Sequence, residues 1–283
     1  MEERNMKKLW SILFLVVVAG ILAACGNAKE ESSASDVKPS DASEITKLKV
    51  GAASVPHGEV LEFLAEDLKA EGIEVEIAYV QDGIQTNQLT ADGELDFNYF
   101  QHTPYLNQVN EEAGLDLVNI AGIHIEPFGV YSKKISAIGE LPEKAKVAIP
   151  NDPVNFSRAL LLFAANGIIE LDANHDGDFG IQHITKNDKN IEFIAVDPPL
   201  LNRSLDDVDA AAINTNYALE GGLNPTNDAL IIENADSPYV NIVVTTPERK
   251  DDPAIQAVVK WLTSDKARDF FKSKYEGAVV PVF

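Results

Sequence analysis

The chain has 283 residues, a single cysteine and a formal net charge of −22. One cysteine excludes an internal disulfide framework and any cysteine-rich metal or redox site. So acidic a chain repels phosphate backbones, which removes nucleic acid from the partner classes.

Lys7 and Lys8 precede "LWSILFLVVVAGILAA", an apolar run too short to cross a bilayer comfortably and followed by small residues. Residues 1–24 therefore read as a secretory signal peptide. Its last residues with Cys25, "LAAC", resemble a bacterial lipobox, in which the cysteine is acylated and becomes the new terminus. Residues 25–45 follow as the lipidated cysteine and a tether. This stretch is rich in Ser, Asp, Glu and Lys, and cannot bury enough apolar surface to order itself. Its contour approaches ~60 Å. The expectation is a body held at the extracytoplasmic face of the cell membrane, touching the membrane through the lipid anchor only. Without residues 1–24 the net charge is −23, because that segment carries three basic and two acidic groups.

From residue 46 the pattern alternates between strand and helix. "KLKVGAA" is a strand, and "GEVLEFLAEDLKAEG" a helix with Leu61, Leu64 and Leu68 at helical spacing. "VEIAYV" is the next strand. Leu95, Phe97 and Tyr99 then alternate with Asp96, Asn98 and Phe100. Thr103 reads as an N-cap with Pro104 at the first helical position. The same grammar recurs with strand "KVAIP" and helix "FSRALLLFAANG", then with strand "VDAAAIN". Strand "YVNIVVTT" leads into one long terminal helix over 251–275. The pattern predicts an α/β protein with mostly parallel sheets.

In open α/β sheets, ligands sit beyond the carboxyl ends of the strands. His57 lies at such a junction, as do Phe100, His102 and Tyr105, Asn151, Asn155 and Arg158, and Asn214 and Asn216. Asn241 sits inside an apolar strand, where its amide must find a partner. An arginine can clamp a carboxylate through two parallel hydrogen bonds. Asparagine amides donate and accept, and two aromatic faces suit an apolar tail. Together these describe a site for an amino acid or a short peptide. Each residue also has a plainer role: Arg158 paired with a surface carboxylate, His102 satisfied at a helix cap, Phe100 and Tyr105 in the core, Asn241 stitching a loop.

The blocks "DGELDFNYFQHTPYLN", "HIEPFGVYSKK", "VAIPNDPVNFSRALLL", "RSLDDVDAAAINTNYALEGGLNP", "DSPYVNIVV" and "GAVVPVF" resemble the NlpA/MetQ family, the substrate-binding lipoproteins of methionine ABC importers. The resemblance spans residues 47–283 nearly continuously. It implies a two-lobed, type II-like periplasmic-binding fold with the ligand closed between lobes. Residues 46–127 with 240–283 would form one lobe and 128–239 the other, with hinge crossings near 126–130 and 236–240. It further implies Arg158 as the carboxylate-holding residue, Asn214 and Asn241 as hydrogen-bonding partners, and Phe100, His102 and Tyr105 as pocket lining. The implied partner is an ABC importer permease. One departure stands out in "YVQDGIQTN": Gly83 and Val80 occupy positions where the family usually carries aromatics. That puts methionine itself in question and leaves a short peptide or another amino acid open.

"DANHDGD" matches the start of an EF-hand loop through Asp172, Asn174 and Asp176, but His183 stands where the bidentate glutamate belongs. A polar turn is the preferred reading, so no metal and no cofactor are expected. Neither H-E-x-x-H, G-x-S-x-G nor a P-loop occurs, which weighs against an extracytoplasmic hydrolase. A triad assembled across the fold, or a surface scaffold role, stays compatible with the sequence.

Overall fold

The computed structural model describes residues 45–234 and 236–283; the signal peptide, Cys25 and the tether up to residue 44 lie outside them. Thirteen strands are present among the described residues: β1 (Thr46–Ala52), β2 (Ile73–Tyr79), β3 (Phe97–His102), β4 (Val118–Ile125), β5 (Gly129–Tyr131), β6 (Lys146–Pro150), β7 (Glu170–Leu171), β8 (Ile184–Lys186), β9 (Glu192–Val196), β10 (Ala210–Ile213), β11 (Ile231–Ile232), β12 (Val240–Thr245) and β13 (Val280–Pro281). They form a six-stranded sheet ordered β13-β4-β12-β3-β1-β2, a five-stranded sheet ordered β11-β5-β10-β6-β9, and the small hairpin β7-β8.

The α/β class holds, but both sheets are mixed rather than mostly parallel. β1 runs parallel to β2 and β3, and β6 runs parallel to β9 and β10. Antiparallel pairs enter with β4, β12 and β13 in the larger sheet and with β5 and β11 in the smaller. The reason is connectivity. Residues 126–128 and 233–239 carry the chain from one sheet to the other and back. The strands flanking those passages join each sheet without the right-handed crossover that parallel pairing needs.

Each sheet buries its own apolar cluster. Leu48, Val50, Phe97 and Val243 pack against Ile255, Val258 and Phe271 of the C-terminal helices. Val147, Ile149 and Ala210 pack against Leu160 and Phe163 of helix Pro153–Ala165. Every such side chain taken fully from water contributes ~1.5–3 kcal/mol.

One local expectation changes. The terminal helix is two helices, Pro253–Leu262 and Asp265–Tyr275. Ser264 breaks it, because its hydroxyl caps the second helix by accepting from Ala267 N–H, while Thr263 bonds back to the Val259 carbonyl. On β3 both faces are covered: Asn98 is as fully buried as Phe97 and Tyr99. The segment from Asp172 is built as a turn between β7 and β8. Asp172 Oδ1 accepts from the backbone and side-chain nitrogens of Asn174 at 2.9 and 3.2 Å. Asp176 precedes Gly177 at φ +115°, and His175 stacks on His183 at 3.7 Å.

A candidate amino-acid site between the two sheets

β3 ends in His102, which opens helix Thr103–Ala113. The cap is His102 rather than Thr103: its backbone is extended, and its Nδ1 accepts the Tyr105 N–H at 3.2 Å. A lone pair on Nδ1 leaves the proton on Nε2, which donates to Asn155 Oδ1 at 3.1 Å. Burial, with Arg158 nearby, pushes the His102 pKa down to about 3, so the ring is neutral. His102 is thus a helix cap and a cavity wall at once.

Asn155 belongs to the first turn of helix Pro153–Ala165. Asp152 caps that helix and fixes the amide, accepting from both Asn155 nitrogens at 2.9 Å. The Asn155 oxygen therefore faces His102 and also accepts from Asn214 Nδ2 at 3.1 Å. Asn214 Oδ1 is buried with no partner among the described residues. Asn214 begins helix Thr215–Glu220 without any side-chain capping bond, so nothing local claims that oxygen. Asn241, on β12, lies in register between His102 of β3 and His124 of β4, and its Oδ1 is 3.0 Å from His57 Nε2.

Arg158 is 3 % exposed. The Nε–Nη2 edge, which would grip a ligand carboxylate in bidentate fashion, is held by Glu233 at 2.8 and 2.6 Å. Nη2 also donates to the Glu126 carbonyl at 2.9 Å, and the guanidinium stacks over Tyr239 at 4.1 Å. Nη1 has no hydrogen-bond partner among the described residues and is the donor left for a ligand. So Glu233 fixes the arginine, and the arginine approaches the cavity end-on.

All six residues singled out from the sequence, Phe100, His102, Tyr105, Arg158, Asn214 and Asn241, line one cavity of about 320 Å³. That volume sits at the small end of the range for small-molecule sites, ~300–1,000 Å³. Val80 and Gly83 also line it. Gly83 does not leave open room: a Cβ there would lie 2.6 Å from Tyr105 Oη and 3.0 Å from Phe100 Cε2. The tyrosine and phenylalanine lean into the space that a side chain at residue 83 would need.

The chain belongs to the NlpA lipoprotein family. Residues 48–283 match that family. The chain is 37 % identical to the methionine-binding lipoprotein MetQ of Bacillus subtilis over 98 % of this chain and 99 % of that one. It is 36 % identical to outer membrane lipoprotein 2 of Mannheimia haemolytica, with the same coverage of both chains. A nutrient-binding protein of Burkholderia cenocepacia, solved bound to methionine, superposes with a TM-score of 0.81 at 38 % identity, covering 83 % of this chain and all of that one.

Sequence reasoning passed over several groups that line the cavity of this NlpA lipoprotein or lie behind its wall. Asn155 and His57 were visible at strand ends but were not singled out as site residues. Glu126, His124 and Glu233 gave no signal, because a lone acid after an apolar strand looks like any surface carboxylate. Burial is what distinguishes Glu126, which is 6 % exposed.

Proposed function

We propose that this protein is the lipid-anchored, extracytoplasmic substrate-binding component of an ABC importer, and that it captures methionine or a closely related amino acid. The observation that carries the reading is the polar arc of the cavity. Arg158 Nη1 is a free cationic donor, Asn214 Oδ1 a free acceptor, and Phe100 and Tyr105 stand beside them as an apolar wall. An α-amino acid with an unbranched apolar tail offers the complementary set, and the Burkholderia relative was solved with methionine. The His102–Asn155 contact joins the two sheets across the cavity, and Asn214 holds the same Asn155 oxygen from the side of the smaller sheet. Closure would proceed by hinge motion at the two passages between sheets, with 46–127 and 240–283 moving against 128–239. The closed form then docks on the permease, and Cys25 holds the protein to the membrane. No chemistry is done on the ligand: His102 spends one nitrogen on a helix cap and the other on Asn155.

Mass spectrometry of the small molecules released on unfolding identifies the ligand; methionine or a near relative is expected. Calorimetry on ligand-stripped protein then tests the clamp. Arg158→Ala is expected to cost about 2–5 kcal/mol of binding, measured well below the variant's melting temperature because Glu233 also loses its partner. Unchanged affinity removes Arg158 from the site.

A further inference from the structure

Beneath the cavity lies a polar cluster that the proposed carboxylate contact does not use. Glu126 follows β4 at the passage between sheets, lines the cavity and is almost wholly buried. Its Oε1 lies 2.8 Å from His124 Nε2 and 3.5 Å from His57 Nε2, and its Oε2 accepts Asn216 N–H at 2.9 Å. Tyr99 Oη is 2.6 Å from the other nitrogen of His124.

Proton positions follow from these contacts. The Tyr99 hydroxyl donates to His124 Nδ1, so His124 carries its proton on Nε2 and gives it to Glu126. Every neighbour of the carboxylate is then a donor. The three ligand-type atoms of His57, His124 and Glu126 are close enough together to suggest a metal ion. Yet this arrangement leaves no lone pair on His124 Nε2 to bind one, and it satisfies Tyr99, which a metal-bound His124 would leave with a hydroxyl proton and no acceptor.

A carboxylate held this way has dipoles around it but no full positive charge against it. Burial keeps both imidazoles neutral, with pKa values lowered to about 4 for His57 and about 3 for His124. Arg158 reaches only the Glu126 backbone carbonyl, while its side-chain pairing goes to Glu233. A buried anion without a counter-charge is costly, and a cation delivered from the cavity relieves that cost. The unpartnered Asn214 Oδ1 points to the same need, since a donor delivered from the cavity would satisfy it.

We propose that Glu126 is the receptor for the ligand's ammonium group, positioned by His124 and His57 and assisted by Asn214, so that the site selects a free α-amine. This rests on the amino-acid reading above and adds to it the basis for rejecting des-amino and N-acylated acids. A site built to pair one polar group rejects analogues lacking it far more strongly than it rejects a change in apolar size.

The test compares L-methionine with 4-(methylthio)butanoate, which differs only in lacking the amine, on wild type and on Glu126→Gln. Wild type is expected to prefer methionine by roughly 100-fold or more, and Glu126→Gln to bring the two within about fivefold, mainly by losing methionine. Equal affinities in wild type overturn the assignment while leaving the carboxylate contact standing. A Glu126→Gln protein that keeps the preference overturns it as well. Binding of neither compound by wild type overturns the amino-acid reading, and this assignment with it. Should the variant not fold, N-acetyl-L-methionine replaces it: blocking the amine must abolish wild-type binding, and retention of affinity refutes the role of Glu126.

Discussion

Two buried polar clusters built from similar residue types flank β3, and they behave oppositely. On one side Asn87, Asn98, Gln101 and Thr90 close on themselves. Asn98 donates to Asn87 and Thr90 at 3.0 and 2.9 Å, and Gln101 donates to Asn87 and Asn98 at 2.6 and 2.8 Å. Asn87 completes the ladder by donating to Gln101 at 3.0 Å. On the other side Asn155 and Asn241 bond to His102 and His57, Asn214 bonds to Asn155, and two acceptors, Asn214 Oδ1 and His57 Nδ1, are left over among the described residues. A closed set of neutral amides is a structural device. An open set containing titratable groups is poised for something that arrives. The distinction lies in satisfaction and charge, since the buried amides themselves are of one kind.

pH separates the two clusters most sharply. His57, His102 and His124 have folded pKa values lowered to about 4, 3 and 3, against 6.5 in the unfolded chain. Below pH 6.5 the unfolded state takes up protons that the folded state refuses. Stability is therefore expected to fall as pH drops from about 6.5 toward 4, by up to ~1.4 kcal/mol per pH unit for each histidine. Glu126, Asp152 and Glu220 oppose this in part: burial raises each pKa, so each gains a proton more readily in the fold. Arg158 adds to the penalty on a charged His102. Melting temperatures from pH 7 to 4.5 should drop by several kcal/mol equivalent, with a shallower slope in His102→Gln. Asn98→Ala should lower the whole curve without changing its slope, and a flat profile in wild type defeats the contrast.

Asn98→Ala itself should be costly. It removes the donor to Thr90 Oγ1, which keeps its bond to the Thr86 carbonyl, and the acceptor of one Gln101 N–H, in a fully buried place, for about 2–4 kcal/mol and a melting temperature lower by roughly 5–15 °C. Methionine affinity should move by less than about threefold. Asn214→Ala should do the reverse. Its amide caps nothing and already lacks one partner, so the stability cost should stay under ~1 kcal/mol. Affinity should fall by about 1–3 kcal/mol. Calorimetry and thermal melts on both variants decide; equal effects on both quantities would dissolve the difference between ladder and arc.

How much of this was legible in the residues depends on whether the signal was local. Pro104 at a helix start, and the apolar strands "DFNYF" and "KVAIP", placed Phe100, His102 and Arg158 at strand ends, and those side chains do share one cavity. Asn241 stood out because an amide inside an apolar strand demands a partner. Glu233 and Glu126 could not be found the same way. Glu233 pairs with Arg158, 75 residues away, and Glu126, although beside His124, owes its place to contacts such as Asn216 N–H, 90 residues away; nothing in the neighbouring sequence marks either acid as buried. The burial of Asn98 was out of reach, because alternation reports two faces of a strand but not whether the polar face is covered, and here a second polar layer covers it. The mixed pairing of the sheets was also out of reach, since strand direction follows from the passages between sheets and not from any strand's own composition.

The smallest expected effect concerns Gly83, on the cavity wall at the start of helix Gly83–Ala91. If glycine there merely vacated an aromatic's place, alanine would be free of cost and tyrosine would strengthen methionine binding through a sulfur–aromatic contact of ~0.3–1.5 kcal/mol. The geometry says otherwise, because the added carbon would strike Tyr105 Oη at 2.6 Å and push that ring into the cavity. Gly83→Ala is therefore expected to lose about 1 kcal/mol of methionine affinity, close to the cost of modest overpacking. The offending atom is the hydroxyl, so Tyr105→Phe should recover much of that loss when combined with Gly83→Ala. A double-mutant cycle by calorimetry reads this directly as a coupling between residues 83 and 105. Additive losses would mean that the tyrosine yields without cost, and that the apolar end of the site is set by Phe100, whose Cε2 lies next nearest at 3.0 Å.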